Sequence, residues 1–339
     1  MYVLLALLLL GMLIMAHEAG HYLAARASGI EVQEFAMGMG PCLLSWKNRN
    51  GTQFSLRLFP IGGYCQFYGE DQDLSDPRAF NNQKVWKRFL TVISGPAMNF
   101  VVAFLVIIIY LSAIGLYDTI PAVYSVEDHA AAAGLMAGDE IAYINGQNVK
   151  DPNFIIEVVS QSEGNPVTLT VIRGEEEKDI TITPFYDEEA QRYRVGFSFD
   201  QARVRVPLSA SIPFSASYNL ESATLILDTL KNLVTTGEGA DELTGPVGTV
   251  YVIQEVTREG GLDIYMQMIS VISMNLGVIN LLPLPGLDGS RLLFLAYEAV
   301  RRKPVKREIE GGIHFAGLVL LLGLMVVLTY KDVMQIFVR

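Results

Sequence analysis

His17, Glu18 and His21 stand in the order H-E-x-x-H, within His17-Glu-Ala-Gly-His21. On a helix this spacing sets two imidazoles at i and i+4 on one face, where both can bind one Zn²⁺. The carboxylate between them is left free to act as a general base. The motif is short enough to arise by chance in soluble proteins. Here, however, it closes the uncharged apolar run 2–16. An ionisable side chain near the centre of a bilayer costs at least about 2.5 kcal/mol, so three on one apolar helix need a compensating partner. A divalent metal is the natural one, ahead of a cluster of satisfied core histidines.

Catalytic zinc takes three protein ligands and keeps one position open. His129 falls in an acidic stretch and His314 at the start of an apolar one, so both read as structural. Asp288 is the better third ligand. It lies in Asn280-Leu-Leu-Pro-Leu-Pro-Gly-Leu-Asp-Gly289, an apolar helix that Pro283 and Pro285 break open. Broken helices at membrane depth are tolerated only where they line protein or water, so the break itself signals a site. Cys42 and Cys65 are the only cysteines, have no His nearby and read as structural.

The elements that must hold these groups are mostly membrane helices. Of the 339 residues 51% are hydrophobic, in blocks long enough to cross about 30 Å of hydrocarbon. The expected fold is a multi-span α-helical membrane protein with four spanning segments, at 1–27, 91–117, 263–300 and 313–339. The first lacks the basic start and small-residue cleavage site of a signal peptide. A small membrane-associated β-sheet is expected in 28–90 and an extracytoplasmic α+β domain in 118–206. A connector, 207–262, follows. In it Leu220, Ala223, Leu227, Leu230 and Val234 mark an amphipathic helix, on the membrane surface or against the α+β domain. Residues 118–260 hold 23 acids and 9 bases, whereas 301–312 is a basic loop opening Arg301-Arg302-Lys303. Lys and Arg resist translocation, so that loop is expected in the cytosol and the termini and acidic domain outside. Fifteen residues separate Tyr2 from His17, about 22 Å of helix, which puts the metal nearer the cytosolic face.

In 28–90, alternation around Asn50-Gly51 predicts a hairpin of 42–46 with 53–59. One edge of the second strand is then open, and Gln53, Phe54, Ser55 and Leu56 are expected to capture an unwound substrate by strand addition. In 118–206 the pattern A-G-L-x-x-G-D-x-I-x-x-I-N-G, from Ala133, predicts a strand and a tight Asn145-Gly146 turn. A short helix at 154–159 and a hairpin of 167–174 with 178–183 should follow. This stretch resembles the PDZ domains of bacterial membrane proteases, which implies peptide binding or size filtering there.

His17-Glu-Ala-Gly-His21, taken with Asn280-x-x-Pro283-x-Pro285-x-Leu287-Asp288-Gly289, resembles the site-2 protease family of intramembrane zinc metalloproteases. The single PDZ-like segment makes the chain similar to the bacterial regulator-of-sigma-E branch. Gly95-Pro-Ala-Met-Asn99, Gly62-Gly-Tyr64 and Leu243-Thr-Gly-Pro-Val-Gly248 recur in that branch. The resemblance implies zinc on His17, His21 and Asp288, Glu18 as base, and Asn280 on the substrate carbonyl, with Pro283 and Pro285 beside it. It also implies single-span membrane proteins as substrates, such as anti-sigma factors or remnant signal peptides, and a bacterial inner membrane as the location. No nucleic-acid partner is expected. A membrane-anchored scaffold or receptor is the competing reading, but it leaves buried His17, Glu18 and Asp288 without a role. A metal transporter would need more polar residues than the second and fourth spans carry beyond Asn99.

Overall fold

The computed structural model describes residues 2–70, 72 and 74–337. In chain order these form α1 (Tyr2–Ser28), β1 (Val32–Lys47), β2 (Gln53–Phe67), α2 (Val85–Ile109), β3 (Leu116–Val126), α3 (Asp128–Ala132), β4 (Glu140–Ile144), β5 (Gln147–Asn148) and α4 (Pro152–Gln161). Then come β6 (Val167–Arg173), β7 (Glu176–Ile182), β8 (Phe185–Asp187), β9 (Arg192–Arg194), β10 (Phe197–Val204), α5 (Leu208–Thr235), α6 (Pro246–Leu281), α7 (Asp288–Arg301) and α8 (Arg307–Phe337). Residues 1–110 and 207–339 make one compact unit and 111–206 a second.

In the first unit, four helices among the described residues are long and apolar enough to cross a membrane: Tyr2–Ser28, Val85–Ile114, Gly260–Leu281 and Glu308–Ile336. The third differs from the expected 263–300. The helix stops at Leu281, where Leu282 turns to an extended conformation, and α7 begins separately at Asp288. Proline lacks the N–H that would continue the ladder, so Pro283 and Pro285 end α6 rather than kink it. Helix α7 carries Arg291, Glu298 and Arg301 on an amphipathic surface. The last two residues of the expected fourth span, 338 and 339, lie outside the described residues. At the other end of α6, Asp332 of α8 accepts from the N–H groups of Gly245 and Gly248 at 3.1 and 2.7 Å. One buried carboxylate thereby satisfies two of the donors that a helix start leaves open.

The expected amphipathic helix exists as α5, which packs on helices of its own unit. Ala223, Ile226 and Leu230 pack with Ala103, Met274 and Val278 of α2 and α6. The Ser215 hydroxyl donates to the Phe104 carbonyl at 2.8 Å, and Asn219 accepts from the Ser270 hydroxyl at 3.3 Å. Leu220, Leu227 and Val234, assigned to the packing stripe, are 51–84% exposed. Of the expected stripe, Ala223 and Leu230 pack on the neighbouring helices, and Ser215 and Asn219 add hydrogen bonds to them.

β1 and β2 each double back on themselves. Gly38 and Gly40, both at φ 85°, bend β1, and Gly62, at φ 88°, bends β2. Residues 42–47 pair antiparallel with 53–57, as the hairpin requires, and 32–37 pair antiparallel with 63–67. Glu34, Phe35, Ala36 and Met37 also stand opposite Gln53, Phe54, Ser55 and Leu56, with the numbers rising together. Both edges of 53–56 are therefore occupied, and the free edge expected on Gln53, Phe54, Ser55 and Leu56 does not exist. Glu34 fastens the arrangement by accepting from Ser55 Oγ, Arg57 and Tyr64 Oη at 2.5–2.8 Å. The segment 63–67 has a β neighbour, 32–37, on one side only.

The second unit has a sheet of order β10-β3-β4-β6-β7, with β5 on β4. Its core is Val123, Leu135, Ile141, Ile144, Ile155, Val159, Leu169 and Val171 with their neighbours. Asn145 and Gly146, at φ 50° and 77°, form the tight turn expected between β4 and β5. α4 and the β6–β7 hairpin also match expectation.

Asp139 of this unit is 1% exposed and is gripped by Arg173 at 2.7 Å through both carboxylate oxygens, with Met136 N–H donating at 2.9 Å. The Arg173 guanidinium holds the Asp139 carboxyl below its ordinary value. A carboxyl depressed on folding adds stability that is present above its unfolded pKa of about 3.9 and lost as pH falls through the lower folded value. Acid titration of the full chain, followed by hydrogen exchange at Ile141 and Val171, should therefore show this unit opening below pH 4. Asp139→Asn should remove that pH dependence and leave the unit weaker at neutral pH.

Candidate metal centre

His17 and His21 are buried on the α1 face that meets α2. Two glycines permit that contact. A Cβ at Gly20 would collide with the Ser94 carbonyl, and one at Gly95 would overlap the His21 ring. Asp288 arrives from the other side as the first residue of α7, behind the turn 282–287. Gly289 lets α7 close onto the carbonyls of Leu281 and Leu282. Two ion pairs hold α7 in place, the largely buried Arg88–Glu298 from α2 and the part-exposed Arg291–Glu70 from the segment after β2, each at 2.5 Å. The Gly286 N–H donates to His314 Nδ1 of α8 at 3.3 Å, so His314 braces the turn and does not reach the site. His129 lies in the second unit, its ring 5.0 Å from that of Phe185.

These supports bring three lone-pair atoms to one point. His17 Nε2, His21 Nε2 and Asp288 Oδ2 are 3.1, 3.2 and 3.2 Å apart. Zinc bonds of 2.0–2.1 Å at tetrahedral angles require ligand separations of about 3.3 Å. Asp288 Oδ2 is buried, with no hydrogen-bond partner beyond those two nitrogens. Such a set fits a cation and is costly without one. The His21 ring is held by Nδ1, 2.9 Å from the Thr91 carbonyl, which leaves Nε2 for the metal.

His17, Glu18, His21, Asn280 and Asp288 line one cavity of about 570 Å³, with 64–67 of β2, Glu70 and Arg291. The Cys65 backbone N–H donates to the Glu18 carboxylate. The predicted site residues Pro283 and Pro285 do not line the cavity. Pro283 is exposed and Pro285 packs on Gly317 of α8, so they shape the turn that delivers Asp288. Gln53, Phe54, Ser55 and Leu56 do not line it either. Sequence reasoning missed Arg291, Glu70 and the Thr91 carbonyl. A backbone acceptor leaves no trace in residue type, and the two charges acquire meaning only once α7 and the segment after β2 meet.

The model of peptidase family M50 matches residues 5–324. The chain belongs to that family, the site-2 proteases. It is 32% identical to a protein of Clostridium acetobutylicum named as a zinc metalloprotease, over 98% of this chain and 97% of that one. Against the regulator of sigma-W protease RasP of Bacillus subtilis identity is 27%, over 98% of both chains. A Nostoc protein named as a zinc metalloprotease is 32% identical over 99% and 97%. A solved PDZ domain of an SdrC-like protein from Listeria innocua, 25% identical, covers 25% of this chain and 98% of that chain at a TM-score of 0.23, too low to bear on the fold. This M50 protease is a zinc metalloendopeptidase, and its apolar helices make it a membrane protein.

Proposed function

We propose that the chain cleaves membrane-spanning segments of single-span proteins, with His17, His21 and Asp288 holding zinc and Glu18 as general base. The convergence of two imidazoles and a carboxylate on one point beside Glu18, in apolar helices, carries this reading. Zinc, when bound, supplies a Lewis acid that brings the pKa of water to about 7 and polarises a carbonyl. Glu18 takes a proton from the attacking water and returns it to the leaving amine. The Cys65 N–H keeps the carboxylate turned into the cavity. Asn280, at the end of α6, donates to the carbonyl oxygen of the bond being cut.

A peptide bond inside an α-helix is shielded by its own hydrogen bonds, so the substrate must be extended to react. Residues 64–67 line the cavity wall in a segment with a strand partner on one side only, and an extended substrate adds there as a strand. The doubled-back sheet carries Met39, Leu43, Leu44, Trp46, Leu58 and Phe59 at 48–60% exposure, the surface of an element bathed in hydrocarbon. The second unit is read as a PDZ domain that admits or filters substrate ectodomains. The bacterial inner membrane is the setting, with anti-sigma factors or remnant signal peptides as substrates. Both termini and the second unit lie outside, and the zinc lies toward the cytosol.

In vesicles holding the purified protease and a single-span substrate, mass spectrometry should place the cut within the span. Leu in place of Gly or Pro near that cut should slow cleavage, since each backbone group freed in lipid costs several kcal/mol. Cuts confined to residues outside the span would overturn the reading. Orientation is tested separately in a chain with Cys42 and Cys65 replaced by Ser. A cysteine beside Asp187 should react with an impermeant thiol reagent on intact cells, and one beside Lys303 should not. The reverse pattern would invert the topology.

A further inference from the structure

Asn99 lies on α2 with no exposed surface, and its Nδ2 is 3.2 Å from His17 Nδ1. Its backbone carbonyl is held by the Ser273 hydroxyl of α6 at 2.8 Å, which fixes the residue where α1, α2 and α6 meet. Its Oδ1 is buried without a hydrogen-bond partner. A neutral imidazole carries one N–H. When Asn99 Nδ2 donates to His17 Nδ1, the ring proton must sit on Nε2, where it points at Asp288 Oδ2 3.1 Å away. In that tautomer His17 Nε2 has no lone pair to offer a metal. Turning the amide by half a revolution exchanges Oδ1 and Nδ2. Oδ1 then accepts from His17 Nδ1–H, and the Nε2 lone pair is released toward the metal position. The turn sacrifices no contact on the far side, because the amide atom there has no partner.

We propose that Asn99 is a positioning residue whose amide serves His17 in two states, donating to Nδ1 in the metal-free protein and accepting from Nδ1–H in the zinc-loaded one. His21 has no such freedom. The Thr91 carbonyl facing its Nδ1 can only accept, so that ligand is ready in both states. One ligand is thus locked and the other is set by a side chain that turns. Asn is suited to this place because its amide presents a donor or an acceptor within one shape.

The proposal rests on His17 being a zinc ligand, and the experiment separates the two. Zinc affinity of the full chain in detergent is measured by chelator competition for the wild type, His17→Ala, Asn99→Leu and Asn99→Asp. Loss of such an outer partner typically weakens a metal site 10–100-fold, which is the effect expected for Asn99→Leu. Asn99→Asp, an acceptor of the same shape, should bind zinc at least as tightly as the wild type. Wild-type affinity in Asn99→Leu, or equal weakening in both variants, overturns the role of Asn99. Full affinity in His17→Ala instead overturns the ligand assignment beneath it. A second measurement needs no variant at Asn99. The chain has four histidines, so ¹⁵N-histidine spectra resolve each ring. His17 should change from the Nε2–H to the Nδ1–H tautomer as zinc is added, while His21 stays Nδ1–H. An unchanged His17 tautomer overturns the proposal.

Discussion

Replacing Glu18 by Gln is expected to leave one zinc per chain and to lower kcat by 10²-fold or more. The amide keeps the size and hydrogen-bonding reach of the side chain but cannot take a proton from water. Glu18 does not belong to the triangle of His17, His21 and Asp288, so metal content should not follow activity in this variant. His17→Ala should behave differently and lose both metal and cleavage. Metal analysis of each purified variant, beside cleavage of a membrane-spanning substrate, checks the pair. Full zinc occupancy in Asp288→Ala would remove that carboxylate from the ligand set, and an active Glu18→Gln would require another base.

Adding a single methyl group at Gly95 should be nearly as damaging. The new Cβ would overlap the His21 ring, and the atoms approached are Nε2, Cε1 and Cδ2. His21 cannot swing away cheaply, because its Nδ1 is tied to the Thr91 carbonyl on the same helix. Either the ring leaves the triangle or α1 moves off α2, and both outcomes pull Nε2 out of ligand distance. Gly95→Ala is therefore expected to lose zinc while the helices still insert. The second unit should remain folded, with unchanged hydrogen exchange at Ile141 and Val171. Wild-type zinc content in Gly95→Ala would mean that α1 and α2 tolerate separation without harm to the centre. Gly20→Ala, which presses on the Ser94 carbonyl instead of a ligand, should show a weaker form of the same defect.

The two metal helices were legible because their signal is local. H-E-x-x-H needs nothing beyond helical periodicity to bring His17 and His21 together, and an apolar run makes three ionisable groups conspicuous. Asp288 was legible for a related reason, since a carboxylate beside two prolines in an apolar block has few uses. The Asn145-Gly146 turn and the β6–β7 hairpin also follow from nearest-neighbour chemistry.

What depended on tertiary structure was which surfaces face each other. Residue alternation marked 42–46 and 53–59 as a hairpin, but it carries no information about a third segment, and Glu34–Met37 takes the edge that seemed free. The bends at Gly38, Gly40 and Gly62 that cause this are decided by where the doubled-back strands can pack. Pro283 and Pro285 looked like site residues because they flank one; their rings in fact turn the chain so that α7 can present Asp288. Asn99 stood out in sequence only as a polar residue in an apolar span. Its proximity to His17 spans 82 positions of chain and exists only once α1 and α2 close through Gly20 and Gly95. Composition and periodicity thus determined the helices and the metal chemistry, because both are encoded within a few turns. The supports of the centre are long-range contacts, and packing alone decided them.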